Sequence, residues 1–154
     1  MFDWVDLVNI FTSLGYGGAF LVGFIGTAIP YFPTYLIIPF FGVQLNPFIV
    51  GIVTGLGSGI GQFLHYYIGV FGRRFFPEDL QARFDKWSIR FGGRIFWLIL
   101  FLAATPLSPD DLIWIPLGLM KYPKLKALAA GISGKIILNL AYALIGYYGL
   151  SHII

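Results

Sequence analysis

Apolar positions run along this chain in long blocks, and polar positions fall in short clusters between and within them. Phe2 to Ser13 is the exception: Asp3, Asp6 and Asn9 recur at helical spacing with Val5, Val8, Ile10 and Phe11 between them. That pattern predicts a short amphipathic helix lying in a membrane interface. Leu14 to Gly42 is apolar but broken by Pro30-Tyr31-Phe32-Pro33-Thr34. Val43-Gln44-Leu45-Asn46-Pro47 reads as a turn. Phe48 to Phe71 is long enough to cross a bilayer at about 1.5 Å per residue. Arg73 to Arg94 is strongly charged, with an amphipathic stretch from Pro77 to Arg90. Ile95 to Met120 is a second broken apolar run, Lys121 to Lys126 a basic turn, and Leu125 to Ile145 a last span.

The break in the second run is Thr105-Pro106-Leu107-Ser108-Pro109-Asp110-Asp111. Proline removes a backbone donor and disrupts a helix. A carboxylate at mid-membrane depth costs about 2.5–3.5 kcal/mol on insertion scales. Such a stretch is tolerated only where protein or trapped water satisfies the freed groups. The expectation is a re-entrant hairpin with Thr105, Pro106 and Pro109 at its tip, and a first hairpin with Pro30, Pro33 and Thr34 at its own.

The two halves resemble each other. At an offset of 76, Gly17 falls on Gly93, Pro30 on Pro106, Pro33 on Pro109, Gly42 on Gly118, Pro47 on Pro123 and Gly55 on Gly131. At 77, Ser58 falls on Lys135, Gln62 on Asn139, Gly69 on Gly146 and Gly72 on Gly149. An ordered series of this kind predicts a duplication. The reading is one membrane domain over residues 1–154, with repeat 1 at 1–72 and repeat 2 at 77–149. Each repeat comprises an interfacial helix, a broken re-entrant hairpin, a turn and a spanning helix.

Charge sets the orientation. No Lys or Arg precedes Arg73, whereas six lie between Arg73 and Arg94 and three between Lys121 and Lys126. By the positive-inside rule both basic regions are cytoplasmic. The run between them must then enter and leave on one side, and the first hairpin must enter from the other. The repeats are inverted, as in many secondary transporters, whose sites lie near the midplane. Composition agrees with this class: 58% of residues are hydrophobic, 11% are charged, and mean hydropathy is +0.82. The expected fold is therefore an all-α, polytopic integral membrane protein, placed in the cell (plasma) membrane. The acidic N-terminus lacks the basic region of a cleavable signal, so none is expected. There are no cysteines, and a net charge of +3 gives no reason to expect nucleic acid.

The polar residues within the spans are the candidates for chemistry. Lys135, Asn139 and Tyr142 share one helical face, and Ser58, Gln62, His65 and Tyr66 share the face that the repeat superposes on it. Lys135 is the one basic residue within a span, and its expected partner is Asp110 or Asp111. Two readings stand side by side: a protonatable or anion-handling centre, or a fixed ion pair with an aspartate capping the following helix. Gly51, Gly55 and Gly59, like Ala127, Gly131 and Gly134, are read as sites of close helix packing. There is no phosphate-binding glycine loop, metal-spaced cluster or nucleophile–base pair. No enzyme activity, metal or cofactor is expected.

Three stretches resemble the DedA/VTT (SNARE-associated Golgi protein) superfamily. They are Pro30-Tyr31-Phe32-Pro33; Gly61-Gln62-Phe63-Leu64-His65-Tyr66-Tyr67-Ile68-Gly69 with Arg73-Arg74; and Thr105 to Asp111 continuing to Gly118. The resemblance implies lipid translocation: recycling of polyprenyl-phosphate carriers in bacterial members and phospholipid scrambling in eukaryotic relatives, with proton or sodium coupling in some. This chain departs from the pattern. Gly26, Thr27, Thr34 and Tyr35 occupy the region of the usual first-hairpin acid. Gln62 replaces an aspartate, and Ala103 or Ala104, and Pro109, stand where arginines flank the second-hairpin proline. A divergent branch is the expectation.

The functional expectation is a membrane lipid translocase for a phosphorylated lipid, such as a polyprenyl phosphate or a phospholipid. Its partners would be membrane lipids, a coupling proton or sodium ion, and a second copy in a homo-oligomer. Phosphate would meet the hairpin helix N-termini, whose dipoles favour anions. The alternatives are a proton-coupled small-solute or drug exporter, marked by a sealed two-sided cavity, and a non-transporting scaffold with no polar cavity. The topology is directly testable, because single cysteines in a cysteine-free chain label cleanly. Lys86→Cys and Lys124→Cys should react from the cytoplasmic side and Gln44→Cys from the other. Labelling of Lys124→Cys from the outer side alone would exclude the hairpin arrangement.

Overall fold

A computed structural model describes residues 4–29, 34–106 and 110–150, which are helical, with no strand among them. The helices are α1 (Trp4–Ser13), α2 (Gly15–Ala28), α3 (Thr34–Gln44), α4 (Pro47–Gly72), α5 (Glu78–Ala104), α6 (Asp110–Leu119) and α7 (Lys124–Ile145). A 3-10 turn, Arg73–Phe75, follows α4, and a π-turn, Gly146–Leu150, follows α7. Pro47–Phe75, Glu78–Ala104 and Lys124–Gly149 are each long and apolar enough to cross a membrane. The chain is an all-α polytopic membrane protein.

The bundle is arranged around α4. Its start is fixed by Asn46, whose side-chain oxygen accepts from the amides of Phe48 (3.0 Å) and Ile49 (3.4 Å), with Pro47 in the first turn where its missing N–H costs nothing. Helices in lipid gain little from apolar burial against one another, so close backbone approach must hold them. Gly51, Gly55 and Gly59 make that approach: a Cβ at each would run into Leu140, Ile136 and Ile132 of α7 in turn. The descending order of the partners makes the pair antiparallel. Gly57 and Gly61 lie on another face and meet Phe20, Phe24 and Thr27 of α2.

Both broken runs end part-way along this pair. Ala28, the last residue of α2, lies against Gly61, and Ala103, the last but one of α5, lies against Gly134 half-way along α7. Length would let α5 cross the bilayer, but its end beside Gly134 makes its second half the first arm of a hairpin. The return arms pack alike. Gly42 of α3 meets Ala143 and Pro39 meets Gly146, while Gly118 of α6 meets Tyr66 and Ile115 meets Gly69. These contacts recur at the offsets of 76 and 77 seen in the sequence.

The halves differ in one respect. The sequence separates an amphipathic stretch, Pro77 to Arg90, from the apolar run at Ile95, but the structure joins them in the 27 residues of α5. In the first half the equivalent segments are broken between α1 and α2 at Gly15, where φ is +58°. Only glycine adopts that region at little cost. Position 15 corresponds to Phe91, for which the same turn would be strained, so the helix runs on.

The basic side is held by Arg73, which is 5% exposed and uses all five of its N–H donors. Nη1 and Nη2 donate to the two carboxylate oxygens of Asp85 (2.8 and 2.7 Å), the bidentate geometry that suits a guanidinium. The remaining bonds reach the Leu119 carbonyl (2.7 Å), the Gln81 carbonyl (3.1 Å) and Gln81 Oε1 (3.2 Å). One side chain thereby joins the ends of α4 and α6 to the first turns of α5. Tyr66 adds a second tie, donating to the Tyr122 carbonyl (2.8 Å), while the Tyr122 hydroxyl donates to the Gly92 carbonyl (2.8 Å).

The hydrogen bonds from Arg73 hold the Asp85 carboxyl below its ordinary 3.8, against a smaller opposing effect of desolvation. A lowered native value means that the pair's contribution is complete above the ordinary value and is lost as pH falls through the lowered one. Its size is modest, under about 1 kcal/mol, since the Asp85 side chain is 48% exposed. The unfolding midpoint of Asp85→Asn in detergent should therefore lie below that of the wild type at pH 7, and the gap should close as pH falls below the ordinary carboxylate range. A gap that does not change with pH would show that ionised Asp85 is not what Arg73 requires.

Candidate functional site

The two hairpins and the two long helices come together half-way along α4. Gln62, fully buried, donates through Nε2 to Asp111 Oδ1 of α6 at 2.9 Å. One turn earlier, Ser58 receives two contacts: its carbonyl accepts from Thr27 Oγ1 of α2 (2.8 Å), and its hydroxyl accepts from Asn139 Nδ2 of α7 (3.1 Å). Each of these elements thus contributes a polar side chain at one depth. Taking these groups out of water is tolerable because they bond one another.

Trp114 forms the floor. Its ring fills the space left by Gly131: a Cβ there would come within 2.5 Å of the indole and 3.8 Å of Gln62 Oε1. Lys135 follows Gly131 by one turn on α7 and precedes Asn139 by one, and it is 8% exposed. Side chains on a helix lean toward its N-terminus, so Lys135 leads back toward Gly131, Trp114 and the Gln62–Asp111 contact. The indole Nε1 of Trp114 and the Nδ1 of His65 are enclosed without a hydrogen-bond partner among the described residues.

The sequence places Ser58, Gln62, His65 and Tyr66 on one helical face, and the structure divides them. Ser58 and Gln62 enter the polar centre. Tyr66 turns instead to the basic-side loop through Tyr122. His65 stays half-buried beside the centre. Thr34 opens α3, and its methyl lies against Gly26 of α2. Thr105 ends α5, its hydroxyl donating to the Phe101 carbonyl (2.7 Å), and Pro106 follows, exposed. Pro30, Pro33 and Pro109, together with the side chain of Asp110, lie outside the described residues. The capping expectation is corrected for Asp111, and for Asp110 it falls outside the described side chains. α6 begins with Asp110, so both aspartates occupy its first turn, and Asp111 bonds Gln62 rather than serving as a cap.

Thr27 and Trp114 are additions to the sequence-based set. A threonine in an apolar run commonly bonds its own helix, as Thr27 also does to Gly23 (3.1 Å), and only the approach of α4 gives it a second partner. Trp114 lies three residues beyond Asp111 and is indistinguishable in sequence from an interfacial tryptophan.

A family model for the VTT domain matches residues 29–148 of the 154. The chain belongs to the VTT-domain family. No curated protein and no solved structure matches it. The matched VTT region takes in α3 to α7, and hence all of the polar centre except Thr27. Gln62, where the family pattern resembled in sequence has an aspartate, gains a physical rationale here. An aspartate at 62 would face the carboxylate of Asp111, and two such groups in contact cannot both ionise. An amide donates instead.

We infer that Lys135 neutralises Asp111. Losing one partner of a buried pair typically destabilises by about 3–5 kcal/mol. Lys135→Met should therefore lower stability more than Lys126→Met in the exposed first turn of α7. Adding Asp111→Asn should restore part of the loss, as a double-mutant cycle in detergent would measure. Strictly additive effects would assign Lys135 a different partner.

Proposed function

We propose that this VTT domain moves a lipid with a phosphorylated head between the leaflets of the plasma membrane and performs no covalent chemistry. The observation that supports this reading most is the Gln62–Asp111 contact, a hydrogen-bonded polar pair at half depth where hairpin and spanning helix meet. A head group crossing there would exchange its hydration for the hydroxyls and amides of Thr27, Ser58, Gln62 and Asn139, while its chains stay in the bilayer. Lys135 would pair with the phosphate in place of Asp111, and Asp111 would then take up the coupling proton or sodium ion. The first turn of α6 carries its own acids, so the phosphate passes Lys135 rather than docking on that helix end.

Charge-assisted hydrogen bonds contribute about 1.5–3 kcal/mol each, and a barrier change of that order alters a rate about tenfold or more. Reconstituted in liposomes, the wild type should accelerate leaflet exchange of a labelled anionic lipid. Asp111→Asn, alone or with Asp110→Asn, should slow exchange by about that factor while the fold survives. Wild-type exchange by a folded double variant would make the acids structural. Exchange no faster than in empty liposomes would sink the translocase reading itself.

A further inference from the structure

On the basic side, away from the hairpin tips, α5 borders an apolar cavity of about 580 Å³. Trp87, Phe91, Ile95 and Leu98 line it along one face of the helix, Met120 closes it at the end of α6, and Arg94 is its one charged lining residue among the described residues. Ligand cavities commonly measure about 300–1,000 Å³. Its depth follows from the neighbouring contact of Gly92 with Tyr122, just before α7 begins. The cavity therefore starts at the membrane boundary on the basic side and runs inward toward Leu98.

The charge at its rim is of one sign. Arg94 is exposed and makes no ion pair or hydrogen bond among the described residues. Arg90, one turn earlier, lies over the ring of Phe91 at 5.5 Å from its centroid and keeps its cation at the same level. Asp85, two turns before Arg94, is engaged by Arg73. An apolar trough entered past two cations at head-group depth suits an amphiphile with an anionic head and a hydrocarbon tail. A soluble anion would gain nothing from the trough, and a zwitterionic lipid would gain less from the arginines, because its own head-group cation offsets the charge of its phosphate.

We propose that this groove binds an anionic phospholipid of the leaflet on the basic side, with its phosphate on Arg94 and one chain along Phe91, Ile95, Leu98 and Met120. The site is separate from the polar centre around Gln62, and the assignment does not require that the protein move lipid. Trp87 is 51% exposed at the mouth and reports directly on what lies there.

The test uses the full chain in non-ionic detergent, titrated with phosphatidylglycerol or phosphatidylcholine brominated on the acyl chain. The signal is the quenching of tryptophan fluorescence that is lost in Trp87→Phe. Brominated phosphatidylglycerol should half-saturate this signal at a concentration about fivefold lower than brominated phosphatidylcholine, the factor expected for one basic residue meeting an anionic lipid. Arg94→Gln should abolish that preference, and Arg94→Lys should retain most of it. Excess inorganic phosphate should not reverse the quenching. Equal quenching by the two lipids, a preference that survives in Arg94→Gln, or reversal by inorganic phosphate would each overturn the assignment. A clear preference in a protein that fails to accelerate leaflet exchange would leave the groove standing and refute only the translocase reading.

Discussion

The structure depends on how closely α4 and α7 approach. With glycine at positions 51, 55 and 59, side chains of α7 rest directly on the backbone of α4. In a bilayer the apolar surfaces of helices are solvated as well by lipid as by one another, so van der Waals contact at short range has to do what exclusion from water does elsewhere. Once this pair is formed, each hairpin has a groove to enter. α2 lies on Gly57 and Gly61 of α4, α5 lies on Gly134 of α7, and the return arms cross at Gly42 and Gly118. The polar centre is a product of the same approach, since Ser58 meets Asn139 only because no side chain holds the helices apart.

That much of the plan was legible. Breaks in two apolar runs separated the short helices, regular glycines marked the packing face, and matches at offsets of 76 and 77 recur in the contacts of Gly42 and Gly118, while the tip prolines Pro30, Pro33 and Pro109 lie outside the described residues. What escaped the sequence was the direction in which particular side chains turn. Helical periodicity put Tyr66 with Gln62, but a tyrosine is long enough for its hydroxyl to reach the loop carbonyl of Tyr122, a contact no periodicity encodes. Arg73 read as one more positive charge setting orientation. That it is buried, with every donor used, follows from three chain ends meeting around it. Gly15 was one glycine among many until its positive φ showed that it breaks a helix which its counterpart, Phe91, continues.

The polar centre places a particular demand on its members. A carboxylate, an ammonium and several amides and hydroxyls at bilayer depth are stable only while they satisfy one another. Gln62 and Asp111 must therefore be considered together. The glutamine that departs from the family pattern is the residue able to donate to the aspartate that this chain carries on α6. Replacing Gln62 removes a donor from Asp111, and replacing Asp111 removes the acceptor of Gln62 Nε2.

The continuity of α5 makes the two halves mechanically unequal. Its 27 residues form a rod of about 40 Å, with one end among the basic side's surface charges and the other at Ala104, beside the second tip. Arg73 binds its outer end through Asp85 and Gly134 of α7 receives its inner end, so the surface of the basic side and the hairpin that carries Asp111 are joined by unbroken helix. The opposite surface reaches the first hairpin only across the break at Gly15.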